Sequence, residues 1–157
     1  MEKYKVRTAA LEDLSILLRF EQGIITAERP FDITLKEDPI NYYDLRQLIL
    51  SDESEVVVVE HDSRIIGSGY ATIKAARPYL DHKVYAYLGF MYTDAEYRGK
   101  GVNRLIVNAL KQWSLDRGLN EIRLTVYTDN LAAIRAYEKV GFKQHMIEMR
   151  MDRDKLS

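Results

Sequence analysis

Glu96-Tyr97-Arg98-Gly99-Lys100-Gly101-Val102-Asn103-Arg104-Leu105-Ile106-Val107-Asn108-Ala109-Leu110-Lys111-Gln112-Trp113 holds the most regular pattern in the chain. Val102, Leu105, Ile106, Ala109, Leu110 and Trp113 recur at i, i+3, i+4, i+7, i+8 and i+11, the apolar stripe of a helix laid on a sheet. Gly118 is placed to stop that helix. Gly99 and Gly101 free the backbone for a tight turn into its start. The first N–H groups of a helix have no intrahelical partner and, with the helix dipole, make a place for an anion; Arg98, Lys100 and Arg104 add positive charge there. A dinucleotide fingerprint would need glycine or alanine where Arg104 stands, and a P-loop would need Gly-Lys-Ser/Thr, which is absent. The residues alone leave two readings open: a diphosphate site, or a helix start with solvated basic side chains.

Outward from this stretch the periods alternate. Downstream, residues 121–127 read as a strand with Ile122, Leu124 and Val126 on one face, and Asn130 is placed to cap a helix running to about Lys139. Gly141 can close that helix, and the chain from Phe142 returns as a last strand through Met146 to Met151. Upstream, residues 3–9 read as a strand, 11–26 as a helix with Leu14, Leu17, Leu18 and Glu21 in register, and 42–50 as a second helix. Pro30 and Pro39 bracket an irregular segment between those helices. Residues 56–60, 65–74 and 84–92 are β-rich, and the Asp62-Ser63 break predicts a hairpin between the first two. Strands alternating with helices through short connections favour an α/β layer fold.

Composition bounds the partners. A chain of 157 residues, 46% hydrophobic and 30% charged, fits one globular domain spanning residues 1–157. Lys and Arg number 23 against 24 Asp and Glu, so there is no global pull toward nucleic acid or an anionic membrane, and any anion site is local. The absence of cysteine excludes disulfides, thiolate metal sites and a cysteine nucleophile. His61, His82 and His145 are too scattered to suggest a metal site. No apolar stretch has the length of a signal peptide or membrane span, and a cytoplasmic, unanchored protein is expected.

Two motifs together carry a resemblance. Arg98-Gly99-Lys100-Gly101-Val102-Asn103 resembles the pyrophosphate-binding motif of the GNAT superfamily of acyl-CoA-dependent N-acyltransferases, and Asn130-x-x-Ala133-x-x-x-Tyr137-x-x-x-Gly141-Phe142 resembles its second signature. The order of elements matches as well, and Glu28-Arg29-Pro30-Phe31-Asp32 is similar to a segment in a bacterial branch of the family. The resemblance implies a mixed central sheet of six to seven strands flanked by four helices, with its middle strands splayed. It implies acetyl-CoA as co-substrate and no metal. In such a fold the strand over residues 84–93 is bulged, and Met91, Tyr92 and Thr93 pair with the pantetheine arm. Residues Arg98, Gly99, Lys100, Gly101, Val102, Asn103 and Arg104 grip the pyrophosphate, while Asn130, Ala133 and Tyr137 line the other side. Asn103 departs from the family's usual Gly or Ala, and can crowd the phosphate or donate to it.

Ala133 and Tyr137 lie four residues apart, so a small residue and a phenol share one helix face. On spacing alone a packing tyrosine remains open; the resemblance implies that Tyr137 protonates or hydrogen-bonds the departing thiolate as general acid. The attacking amine must lose a proton, yet residues 84–92 contain no carboxylate where many family members place a glutamate. Ordered water, Glu28, Asp32 or Glu148 are the candidates, with Glu28 first as base or acceptor contact because the helix-to-helix loop is the family's acceptor wall. The acceptor can be an amino acid, polyamine, aminoglycoside-like drug, peptide amino terminus or protein lysine. A non-catalytic acyl-CoA-binding or regulatory module, and a homodimer, stay open.

Overall fold

The structure is a computed structural model that describes residues 3–152. Five strands form one sheet in the order β1 to β5: β1 Lys5–Thr8, β2 Ser54–His61, β3 Arg64–Ala75, β4 Val84–Thr93 and β5 Ile122–Arg123. The first four are antiparallel neighbours and β5 runs parallel to β4. The helices are α1 Leu14–Glu28, α2 Leu45–Leu50, α3 Val102–Asp116 and α4 Leu131–Lys139. The expected hairpin is present, with Asp62 and Ser63 both at positive φ in the turn between β2 and β3.

The four-valine run in β2 explains the layering. Successive side chains of a strand point to opposite faces, so a run buried throughout must be covered on both. Val57 and Val59 join Ile66, Leu88, Val102, Ile106 and Leu110 beneath α3, while Val56 and Val58 join Leu17, Phe20, Leu45 and Phe90 beneath α1 and α2. On α1 the buried face is Leu17, Phe20, Glu21 and Ile25, with Leu18 turned outward. The α3 stripe seats Val102, Ile106 and Leu110 on the sheet, and Ile106 is wholly buried. Truncating Ile106 to alanine should cost about 2–5 kcal/mol. Close approach is needed here: a Cβ on Gly69 of β3 would come within 2.5 Å of Ile106 Cγ2.

Two expectations are corrected. The sheet has five strands among the described residues rather than six or seven, because β5 stops at Arg123 and residues 142–152 join no ladder. Met146, Ile147, Met149 and Met151 are exposed there, so the last strand expected from Phe142 through Met146 to Met151 is not formed. The β-bulge is present: Ser68 faces Tyr92 and Tyr70 faces Gly89, so Phe90 and Met91 together oppose Gly69. Phe90 sits at φ +58, and its carbonyl accepts a hydrogen bond from the buried Ser68 hydroxyl at 3.3 Å.

Candidate functional site

Strands β4 and β5 pair only at Ala86 with Ile122 and Tyr87 with Arg123. Beyond that point no pairing joins β4 to residues 124–127, and a cleft of about 190 Å³ opens. Met91, Tyr92 and Thr93 line one wall and Thr125 and Val126 the other. Helix α1 supplies Gly23, Ile24, Ala27 and Glu28, helix α4 supplies Asn130, Ala133 and Tyr137, and Arg98 closes the end next to α3. Eight of the residues named from sequence therefore meet in one place: Glu28, Met91, Tyr92, Thr93, Arg98, Asn130, Ala133 and Tyr137.

The rest of the phosphate loop continues from Arg98. A short 3₁₀ turn at Ala95–Tyr97 leads into Gly99 at φ +74 and Gly101 at φ +85, and the latter is the residue that starts α3. Both values lie in the left-handed region that glycine enters without penalty. Nothing stands within 4 Å of where a Cβ would project from either, so the loop is an open cradle. No side chain caps the first turn of α3, which leaves its N–H groups outward. Arg98, Lys100 and Arg104 are exposed, and among the described residues none of them forms an ion pair. An uncapped helix start with three unpaired cations favours an anion electrostatically.

Several of these residues contribute backbone rather than side chain. Val102 is 1% exposed and belongs to the core, so only its N–H can reach a ligand. Tyr92 stacks on Phe20 at 4.3 Å and lies against Gly23. The Thr93 carbonyl already accepts from Arg98 Nε at 3.2 Å. The Asn130 side-chain Oδ1 accepts from the Ala133 N–H at 3.3 Å and so caps α4.

Glu28 and Tyr137 face one cleft from opposite helices. Burial pushes the Glu28 carboxyl above its usual range, opposed by the neighbouring Tyr42 hydroxyl, and no Arg or Lys among the described residues pairs with it. Burial, with the charge of Glu28, pushes the Tyr137 phenol up to about 12, so it stays protonated at neutral pH. Its ring packs edge-on against Phe142 at 5.9 Å. Asp32 is differently placed: it accepts from Thr34, Tyr127 and Arg150, which hold it below the usual carboxylate range. Glu148 is exposed and does not line the cleft. Sequence reading missed Gly23, Ala27, Thr125 and Val126. The signal for the first two was present, since Gly23 and Ala27 put small residues four apart on the helix that ends in Glu28.

The model of the Acetyltransferase (GNAT) family matches residues 22–142, which includes every cleft residue. The chain belongs to this family. Mycothiol acetyltransferase of Tsukamurella paurometabola is 32% identical over 67% of this chain and 34% of its own length. Human N-acetyltransferase 8 is 27% identical over 72% of this chain and 48% of its own. The chain thus spans half or less of the length of these GNAT relatives. A predicted acetyltransferase of Clostridium acetobutylicum, solved with acetyl-CoA, superposes with a TM-score of 0.75 over 97% of each chain at 17% identity, a likeness of fold. Among the described residues of this GNAT chain, no helix is long and apolar enough to cross a membrane and no group of three or more His, Cys, Asp or Glu is placed to hold a metal.

Proposed function

We propose that the chain is an N-acetyltransferase that moves the acetyl group of acetyl-CoA onto a primary amine, in the cytoplasm, with the cleft beside β4 as its site. One observation carries the reading: an open cationic cradle at the start of α3 adjoins, through Arg98, a single cleft lined by a carboxylate and a phenol without charged partners, Glu28 and Tyr137. The cradle fits the diphosphate of coenzyme A, since Gly99 and Gly101 leave its floor bare and the uncapped N–H groups point outward. The Clostridium neighbour, solved with acetyl-CoA, supports the same ligand.

Glu28 takes the proton that the amine must lose. An alkylammonium has a reference pKa near ~10.4, and a raised carboxyl narrows the gap to it. The freed nitrogen pair adds to the thioester carbonyl carbon, a C–N bond forms, and the C–S bond breaks. Tyr137, still protonated, gives its proton to the leaving sulfur, so the products are an amide and a thiol. The second proton, still on the acylated nitrogen, passes to the phenolate, and Glu28 gives its own proton to bulk water, so both groups are reset. Ala133, one turn before Tyr137, leaves room for the ligand beside the hydroxyl.

The test is free-thiol release from acetyl-CoA against a panel of primary amines, which no protein cysteine disturbs. Thiol that appears with an amide of matching mass supports transfer. Acetyl-CoA bound without release across the panel identifies a binding module instead.

A further inference from the structure

Residues 40–43, just before α2, belong to no helix or strand, so their backbone N–H groups must find partners elsewhere. They find them on α1. Glu21, with 0% exposure, accepts the Tyr42 and Tyr43 N–H groups on one oxygen, Oε2, at 2.9 and 2.8 Å. The adjacent Gln22 donates from Nε2 to the Ile40 carbonyl at 3.0 Å and to Asn41 Oδ1 at 3.3 Å. Glu21 Oε1 is buried without a partner. A wholly buried carboxylate in this state is costly, and a leucine would fill the same core position without that cost.

What the anchored residues reach gives Glu21 a purpose beyond packing. The Tyr43 ring stands edge-on to Phe90 at 5.5 Å and to Tyr70 at 5.4 Å, and Phe90 is the positive-φ residue of the β4 bulge. Tyr42 meets Tyr43 edge-on at 5.7 Å, and its buried hydroxyl lies near Glu28 but makes no hydrogen bond. One carboxylate oxygen thereby sets two aromatic residues, one against the bulge and one beside the unpaired acid of the cleft.

We infer that Glu21 is a positioning residue for amine transfer: its two hydrogen bonds to the Tyr42 and Tyr43 N–H groups pin the segment before α2, so that Tyr42 walls the space beside Glu28 and Tyr43 backs the Phe90 bulge. The inference rests on the acyl-transfer reading for its kinetic consequence, and on the hydrogen bonds alone for its structural one. Charge-assisted bonds are about twice as strong as neutral ones, so the effect of substitution is graded. Glu21→Met removes the one acceptor of both bonds at similar volume; Glu21→Gln keeps an oxygen for both bonds and removes the charge.

The experiment is amide hydrogen exchange by NMR on wild type and both variants, together with acetyl-CoA titration and amine kinetics. Expected in Glu21→Met is exchange at Tyr42 and Tyr43 faster by about a hundredfold, with amides of β1 and of α3, remote from this segment, unchanged, since two bonds to a charged group are lost. Amine KM rises about tenfold or more, kcat falls, and acetyl-CoA affinity stays within about twofold. Glu21→Gln falls between wild type and Glu21→Met in every readout. Unchanged exchange at Tyr42 and Tyr43, or equal loss of amine KM and acetyl-CoA affinity in a folded variant, overturns the inference. If Glu21→Met does not fold, Glu21→Gln decides it: exchange at these two amides rising several-fold supports the anchor, and unchanged exchange overturns it. Exchange needs no turnover, so it judges the anchor even where acyl transfer itself is absent.

Discussion

Glu28 at the end of α1 and Tyr137 on α4 line the same cleft, and the negative charge of the first helps keep the proton on the second. The two environments push in useful directions. Burial makes the carboxyl a better base than an exposed glutamate and makes the phenol a proton donor that does not ionise near neutrality.

Gly101→Asp should abolish tight acetyl-CoA binding without unfolding the chain. Nothing lies within 4 Å of the new Cβ, and Asp tolerates the left-handed conformation better than most residues. Its carboxylate would accept from the open N–H groups of α3 and repel the diphosphate, and like charges so placed cost several kcal/mol, or about a hundredfold in affinity. Calorimetric titration checks this, with circular dichroism to confirm the fold. Unchanged affinity would remove the loop from the site.

Glu28→Gln should lower kcat/KM for the amine by about a hundredfold, within the usual range for a general base, while acetyl-CoA affinity holds. The wild-type acid limb should lie above that of an ordinary glutamate, because the folded carboxyl is raised by burial. The sign for stability is opposite to that of a paired acid: the folded state holds this proton more tightly than the unfolded, so stability falls as pH rises through the raised value. At neutral pH Glu28→Gln should therefore unfold at the same temperature as wild type or slightly higher. A marked fall in melting temperature would make Glu28 a structural residue.

The sheet edge offers a contrasting acid. Asp13 accepts from Arg7 at 2.8 and 3.0 Å and from the Ala10 N–H at 2.8 Å, and the Arg7 bonds hold its carboxyl below the usual range. Asp13→Asn should cost about 1.5–3 kcal/mol at neutral pH, the worth of bonds to a charged group. That difference is fully present above the unfolded carboxylate value near ~3.9 and is lost as pH falls through the lower folded one. Urea unfolding of both proteins across pH 3 to 7 reads it directly; a pH-independent difference would mean that the Arg7 pairing is not its source.

The stripe from Val102 to Trp113 was readable because burial and helical period coincide over about three turns, and the cap at Asn130 because Asn has one favoured local role there. The last strand, from Phe142 through Met146 to Met151, was misread for the converse reason. A helix stop at Gly141 followed by apolar residues through Met151 suggests a returning strand but says nothing of whether a neighbouring edge exists, and β5 ends at Arg123. Glu21 was read only as a member of a helix face. Its partners lie 21 and 22 residues away across an irregular segment, a relation that no local period encodes. The cleft was legible as two motifs, and its third wall, Gly23 to Glu28, as little more than a helix end.

Tyr137→Phe in a single-turnover reaction tests the central claim most directly. The ring still packs on Phe142, and acetyl-CoA affinity should change by less than about twofold, because the hydroxyl acts in the transition state. A thiolate is already a fair leaving group, so the account predicts a fall in the chemical rate toward the lower end of the general-acid range, about a hundredfold or somewhat less. A folded Tyr137→Phe protein that releases thiol at the wild-type single-turnover rate would contradict it.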